Sequence, residues 1–245
     1  MQGRAMIMSK PVYLTFPIII LKDGLSDIKG CINSAMNYCL YYQYHLNQNS
    51  SNPLKIASDY LGINFYDYEE AIIEGEMLYQ TINDNAPKTS ISKEMIFDFY
   101  KNKKSEFEIV CFLAFASLKS IIQKQVYKKI TNEYLLNRMS GNSKSGAYIN
   151  PLLKKYSNRY QLDKIKTELQ LNWGLKYYAV KTRGFYVSFT MPLNELAVIA
   201  ERKNRSYKLK QLKEKIKEAS RQAKEKVKNE KLPVIISNEL NNNST

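Results

Sequence analysis

Two spacings of apolar residues alternate along this chain, and each predicts a different element. Val12 to Leu21 is a nearly continuous apolar run closed by the turn Lys22-Asp23-Gly24, which predicts a buried strand. Between Asp27 and Leu46, the residues Ile28, Cys31, Ile32, Ala35, Met36, Cys39 and Leu40 recur at three- and four-residue steps. That spacing lines one face of a helix, with Ser26 or Asp27 as its cap. Further helices are expected from Leu54 to Leu61, ended by Gly62, from Tyr68 to Ile82, acidic on its exposed side, and from Ser92 to Tyr100. Asn83 to Thr89 breaks the pattern. Glu106 to Gln125 is the most apolar helix expected, buried on most of its sides.

Asn132 to Met139 predicts a short helix, and Ser140 to Gly146 a flexible loop. Pro151 then sits where a first helical turn tolerates a missing N–H, and Arg159 to Trp173 continues as a helix that stops at Gly174. After Gly174 the character changes. Leu175–Val180 and Gly184–Thr190 are β-rich, and Lys181-Thr182-Arg183-Gly184 between them supplies the turn of a hairpin. Pro192 closes it. Leu193 to about Lys228 reads as one long helix without Gly or Pro, followed by a tail expected to be disordered. The polar hinge Lys101–Ser105 marks a soft boundary. The expected organisation is a helical domain over 1–104, a second unit over 105–192, a long basic helix over 193–231 and a tail over 232–245. The fold class is mainly α with a small β-hairpin, α+β.

Charge sharpens this division. The chain carries a net charge of +14. Residues 1–118 sum to −3, 119–166 to +9, 167–200 to +1, 201–231 to +8 and 232–245 to −1. An AT-rich coding bias would spread lysine evenly; confinement to the second half points to a polyanionic partner. The plainer alternative is a solvated basic surface. No apolar run approaches the roughly 20 residues needed to span a bilayer. The three cysteines lack CxxC spacing, and Cys31 and Cys39 lie about 12 Å apart along one helix face, too far for a disulfide. Reduced, buried thiols in a cytoplasmic or phage-associated protein are expected.

Long helix, short helix, helix, hairpin is the order of residues 106–191, and it is the order of a winged helix. There the third helix enters the major groove and the hairpin lies along the backbone. The polar side of the third helix offers Asn158, Arg159, Gln161, Lys164, Lys166 and Gln170, types that read base edges or bind phosphate. Tyr160, Leu162, Ile165, Leu169 and Trp173 would form its apolar side. Lys181 and Arg183 stand at the hairpin tip, with Lys128, Lys129 and Arg138 as flanking phosphate contacts. For each element the alternative is structural: a packing helix, a solvated tip, a core tryptophan.

The segments LKSIIQKQVYKKITNEYLLNRMSG and LDKIKTELQLNWGLKYYAVKTRGFYVSF, within Phe112–Phe189, resemble the helix–helix–hairpin part of winged-helix proteins of bacterial mobile elements and phages. Replication initiators of plasmid type are among these. The resemblance covers about a third of the chain and implies double-stranded DNA as partner, in replication initiation or transcription control. Such initiators often carry two related domains, and the helix order of the N-terminal half could be a diverged copy. Its net charge of −3 suits dimer contacts or core support better.

On the long helix, Leu209, Leu212, Ile216, Ala219, Ala223 and Val227 form an apolar seam of coiled-coil type. Three readings stay open: backbone binding, strongest for Arg202, Lys203, Arg205 and on to Lys215; pairing with a homodimer or partner helix through Leu209, Leu212 and Ile216; or a solvated helix, strongest for Lys217–Lys231. His45 is the sole histidine, and no phosphate-binding glycine motif or Cys/His cluster occurs. No catalytic residue, metal site or cofactor is expected. The competing class is a phage or mobile-element structural protein whose basic helix contacts other proteins or packaged genome.

Overall fold

A computed structural model of the chain describes residues 11–62, 67–143, 149–179 and 184–242, with side-chain environments as far as residue 227. The fold is mainly helical with two small antiparallel sheets. It divides into two compact units. Among the described residues, the first comprises those within 11–179 and 184–196, and the second those within 197–242.

In the first unit, β1 (Tyr13–Pro17) pairs antiparallel with β2 (Lys88–Ser92), Thr15 opposite Ser90. The strand expected over Val12–Leu21 therefore ends early. Ile18–Leu21 lacks the alternation a half-buried strand needs, and a 3-10 turn there buries Ile18, Ile20 and Leu21 together. Three helices follow: α1 (Ile28–Leu46), α2 (Pro53–Leu61) and α3 (Tyr68–Thr81). Asp27 caps α1 by accepting from the Gly30 N–H at 2.8 Å, and Asn52 caps α2 by accepting from Lys55. Gly62 ends α2 at φ 57, a conformation that favours glycine. α1 and α3 approach so closely that a Cβ at Gly75 would lie 2.2 Å from the Asn37 carbonyl oxygen.

After β2 come α4 (Lys93–Lys101) and α5 (Glu106–Ile122). Ser105 and Glu108 cap α5 reciprocally. Every residue of α5 from Val110 to Ile122 is buried except Lys119, so the helix runs through the core. Phe112 stacks on Phe99 of α4 at 4.5 Å between ring centroids, and Phe115 meets Trp173 and Phe189. One hydrophobic core thus runs across the polar segment Lys101–Ser105, from Leu14 to Val187.

The remaining elements are β3 (Lys128–Ile130), α6 (Asn132–Met139), a 3-10 segment at Pro151–Tyr156, α7 (Arg159–Asn172), β4 (Lys176–Ala179) and β5 (Phe185–Ser188). The hairpin strands are present, and β3 adds to them in the order β3–β5–β4. The last helix, α8, runs from Leu193 to Asn242, continuing past Lys231, where a disordered tail was expected to follow. From Arg205 to Val227 its side chains are exposed, including Leu209, Leu212 and Ile216. Among the described residues no helix is long and apolar enough to cross a membrane. Cys31, Cys39 and Cys111 are free and buried, and burial pushes their thiols up to about 11, 12 and 12 respectively.

Candidate nucleic-acid interface

The segment before α7 is fastened to the start of α5. Glu106 accepts from the Tyr156 hydroxyl at 2.7 Å and forms an ion pair with Lys155. The Lys155 ammonium, then the Tyr156 hydroxyl, hold the Glu106 carboxyl below its ordinary value. Burial, then that carboxylate, pushes Tyr156 up to about 12. Asn158 caps α7 by accepting from the Gln161 N–H at 2.9 Å, and its amide donates to the Lys155 carbonyl. Asn158 is therefore spent on the helix terminus, which orients α7 rather than reaching outward.

Leu162, Ile165 and Leu169 anchor the inner side of α7. Tyr160, expected on that side, is 75% exposed, and Leu171 is 74% exposed. At 100° per residue Tyr160, Lys164, Thr167 and Leu171 form the outward stripe, opposite the three anchors. Asp163 and Glu168 flank it, so the stripe mixes apolar and polar side chains and is not strongly basic.

Two of the expected contacts are corrected by burial. Arg138 is 4% exposed. Its guanidinium donates to the Tyr134 hydroxyl at 2.7 Å, the Ser143 carbonyl at 3.0 Å and the Ser120 hydroxyl at 3.4 Å. Burial pulls its pKa down from the ordinary value, partly offset by Tyr134. Lys166 is also 4% exposed. Its Nζ lies 2.6 Å from the Asp163 carboxylate and 4.6 Å from the centroid of the Phe185 ring. Both cations fasten core elements together, and neither side chain reaches a phosphate. A guanidinium or ammonium this far from water keeps its charge only with such partners.

Of the other expected contacts, Arg159 is 92% exposed at its side chain and lies 3.6 Å from Asp163. Lys164 is exposed with its ammonium 4.7 Å from the Phe107 ring centroid, and Gln161 is half-buried. Lys128 and Lys129 sit on β3, and Lys129 lies opposite Tyr186 with its ammonium 5.8 Å from that ring. Lys181 and Arg183 lie outside the described residues. Arg202, Lys203 and Arg205 are exposed on α8.

No family model, no curated protein and no solved structure matches the chain.

Among the described residues no three His, Cys, Asp or Glu side chains cluster as metal ligands do. His45 packs with Tyr41 and Tyr79, 5.9 and 5.6 Å between ring centroids. A different concave surface was not legible in the sequence: a groove of about 710 Å³ over the β1–β2 ribbon, carrying Lys88, Lys119 and Lys124. Those lysines lie far apart in the chain, and no local pattern links them.

Proposed function

We infer that residues 106–191 form a winged-helix unit that binds double-stranded DNA without catalysis, in replication initiation or transcription control of a mobile element or phage. The observation that carries this reading is topological. Three helices, α5, α6 and α7, accompany one antiparallel sheet in which the strand after the first helix joins the hairpin after the third. That order leaves the outward stripe of α7 uncovered and available to a major groove. Arg159, Gln161 and Lys164 are the candidates for base edges, and Lys128 and Lys129 for phosphates. Arg202, Lys203 and Arg205 are candidates on α8, taken by itself.

Retention of random and native flanking duplex in a gel, at about 50 and 200 mM salt, tests the reading. Binding that falls steeply with salt is expected. No retention at the lower salt would falsify it.

A second reading has its own observation. Tyr160 and Leu171 on α7 and Leu209, Leu212 and Ile216 on α8 are exposed apolar side chains. On each helix taken separately, such side chains mark contacts with proteins, as a structural or interaction protein of a phage or mobile element would make. Concentration-dependent self-association that disappears in Leu212→Lys supports this second reading.

A further inference from the structure

We propose that the outer face of the β1–β2 ribbon binds a nucleotide unit, with tyrosines against the base and lysines against the phosphate. Strand alternation buries Leu14, Phe16, Thr89 and Ile91 and turns Tyr13, Thr15, Lys88 and Ser90 outward. On one side of that face, Lys119, Gln123 and Lys124, from the end of α5 and just beyond, wall the groove of about 710 Å³. On the other, Tyr38 and Tyr42 of α1 and Tyr60 of α2 wall a pocket of about 280 Å³. The two cavities share Tyr13, Thr15 and Lys88, so they meet across the ribbon.

The linings differ in chemistry, and the difference matches the two ends of a nucleotide. The smaller pocket presents aromatic rings, whose faces stack on any base. The larger presents three lysines with hydroxyl and amide groups between them, and no carboxylate lines either cavity. Lys88, Lys119 and Lys124 form no ion pair among the described residues. Lys88 stands at the junction, its ammonium 5.8 Å from the Tyr42 ring centroid. Lys119 is half-buried, its ammonium 4.3 Å from the Phe189 ring centroid, and burial pulls its pKa down. A partly desolvated cation without a counter-ion gains most when an anion is brought to it.

A second observation falls on the same wall. Gln123 holds φ 50, the one positive φ outside glycine among the described residues. Strained backbone of this kind persists where the surroundings enforce it, often at binding sites. The negative end of the α5 dipole accounts for cations at Lys119 and Lys124. It does not account for Lys88 on β2, or for the tyrosines beside it.

The test uses the full chain and a short fluorescein-labelled oligothymidylate, read by anisotropy at about 50 mM salt. Wild-type protein is expected to bind. Lys88→Gln combined with Lys124→Gln should weaken binding about tenfold, and Tyr13→Ser about fivefold or more. These positions are exposed or half-exposed, and unchanged circular dichroism melting checks that the variants fold. Adenosine triphosphate in equilibrium dialysis separates the two sources of a nucleotide. Binding of the triphosphate supports a free nucleotide, and binding of the oligonucleotide alone supports an unpaired strand. Duplex retention measured alongside keeps this groove distinct from the α7 surface, because the groove variants should leave duplex retention within twofold. No binding of either probe overturns the proposal. So does equal competition by inorganic polyphosphate with no effect of Tyr13→Ser.

Discussion

Two cations, Arg138 of α6 and Lys166 of α7, and those of the β1–β2 groove stand in opposite states. Arg138 and Lys166 belong to residues 119–166, which sum to +9, yet both are buried and engaged by hydroxyls, a carboxylate and aromatic rings. Lys88 belongs to the half with net charge −3, yet it faces a groove that no carboxylate lines. The lesson is about what a charge sum measures. It counts side chains, whereas attraction for a polyanion depends on which cations remain in water and unpaired. Burial, not abundance, therefore separates the fastening cations from those available to a ligand.

The largest effect that could break this contrast is on stability. Arg138→Ala should cost about 3 kcal/mol in urea unfolding, because it removes a filled site and strands Tyr134, Ser120 and the Ser143 carbonyl. Arg138→Met, which keeps the packing, should cost less. An Arg138→Ala variant as stable as wild type would put Arg138 back among the available cations.

Next is the Asp163 pair. Asp163→Ala leaves the Lys166 ammonium buried with only Asn132 and aromatic rings, and should cost about 2 kcal/mol. Lys166→Met should lie within about 1 kcal/mol of wild type, since it removes the buried charge altogether. Equal effects of the two substitutions would contradict the fastening role.

Duplex binding sharpens the same comparison at smaller magnitude. Arg159→Ala and Lys164→Ala should each weaken affinity by about 1 kcal/mol, and a cation that meets a phosphate should flatten the salt slope by about 0.9 when it is removed. Arg138→Met and Lys166→Met should leave that slope unchanged, as fastening residues must.

The smallest effect concerns pH. Glu106 is held below its ordinary value in the folded chain by Lys155 and then by Tyr156. A lowered folded value means that the pair stabilises the fold above the unfolded carboxyl value, near 4.3, and that this is lost as pH falls through the lower folded value. The carboxylate is half exposed, so the contribution is small. Glu106→Gln should therefore slightly flatten the loss of melting temperature measured below about pH 4.5. An acid profile identical to wild type would show that the tie between α5 and the start of α7 has no electrostatic part.

Legibility followed the range of the interactions. Asp27, Asn52, Gly62 and the Ser105–Glu108 capping box satisfy helix ends within three or four residues, and each of these helices starts or stops at or next to the expected position. The two hairpin strands were legible because β-rich residues flank the turn-forming sequence Lys181-Thr182-Arg183-Gly184. The strands Lys88–Ser92 and Lys128–Ile130 were not. Both are short and broken by lysine or serine, and pairing with β1 and β5 makes them strands. The same limit affected the site. Tyr160 looked like a core residue by composition, but α7 turns its core side through Leu162, Ile165 and Leu169.

By itself, then, the sequence determined the helices, the hairpin and the segregation of charge, because capping, periodicity and composition act over a few residues. Only the tertiary structure decided which cations are available. Arg138 meets Ser120, Lys166 meets Phe185, and Lys88 shares a groove with Lys119 and Lys124, through contacts between residues distant in the chain. Desolvation and pairing depend on those contacts, and they set whether a charge holds the fold together or faces a ligand.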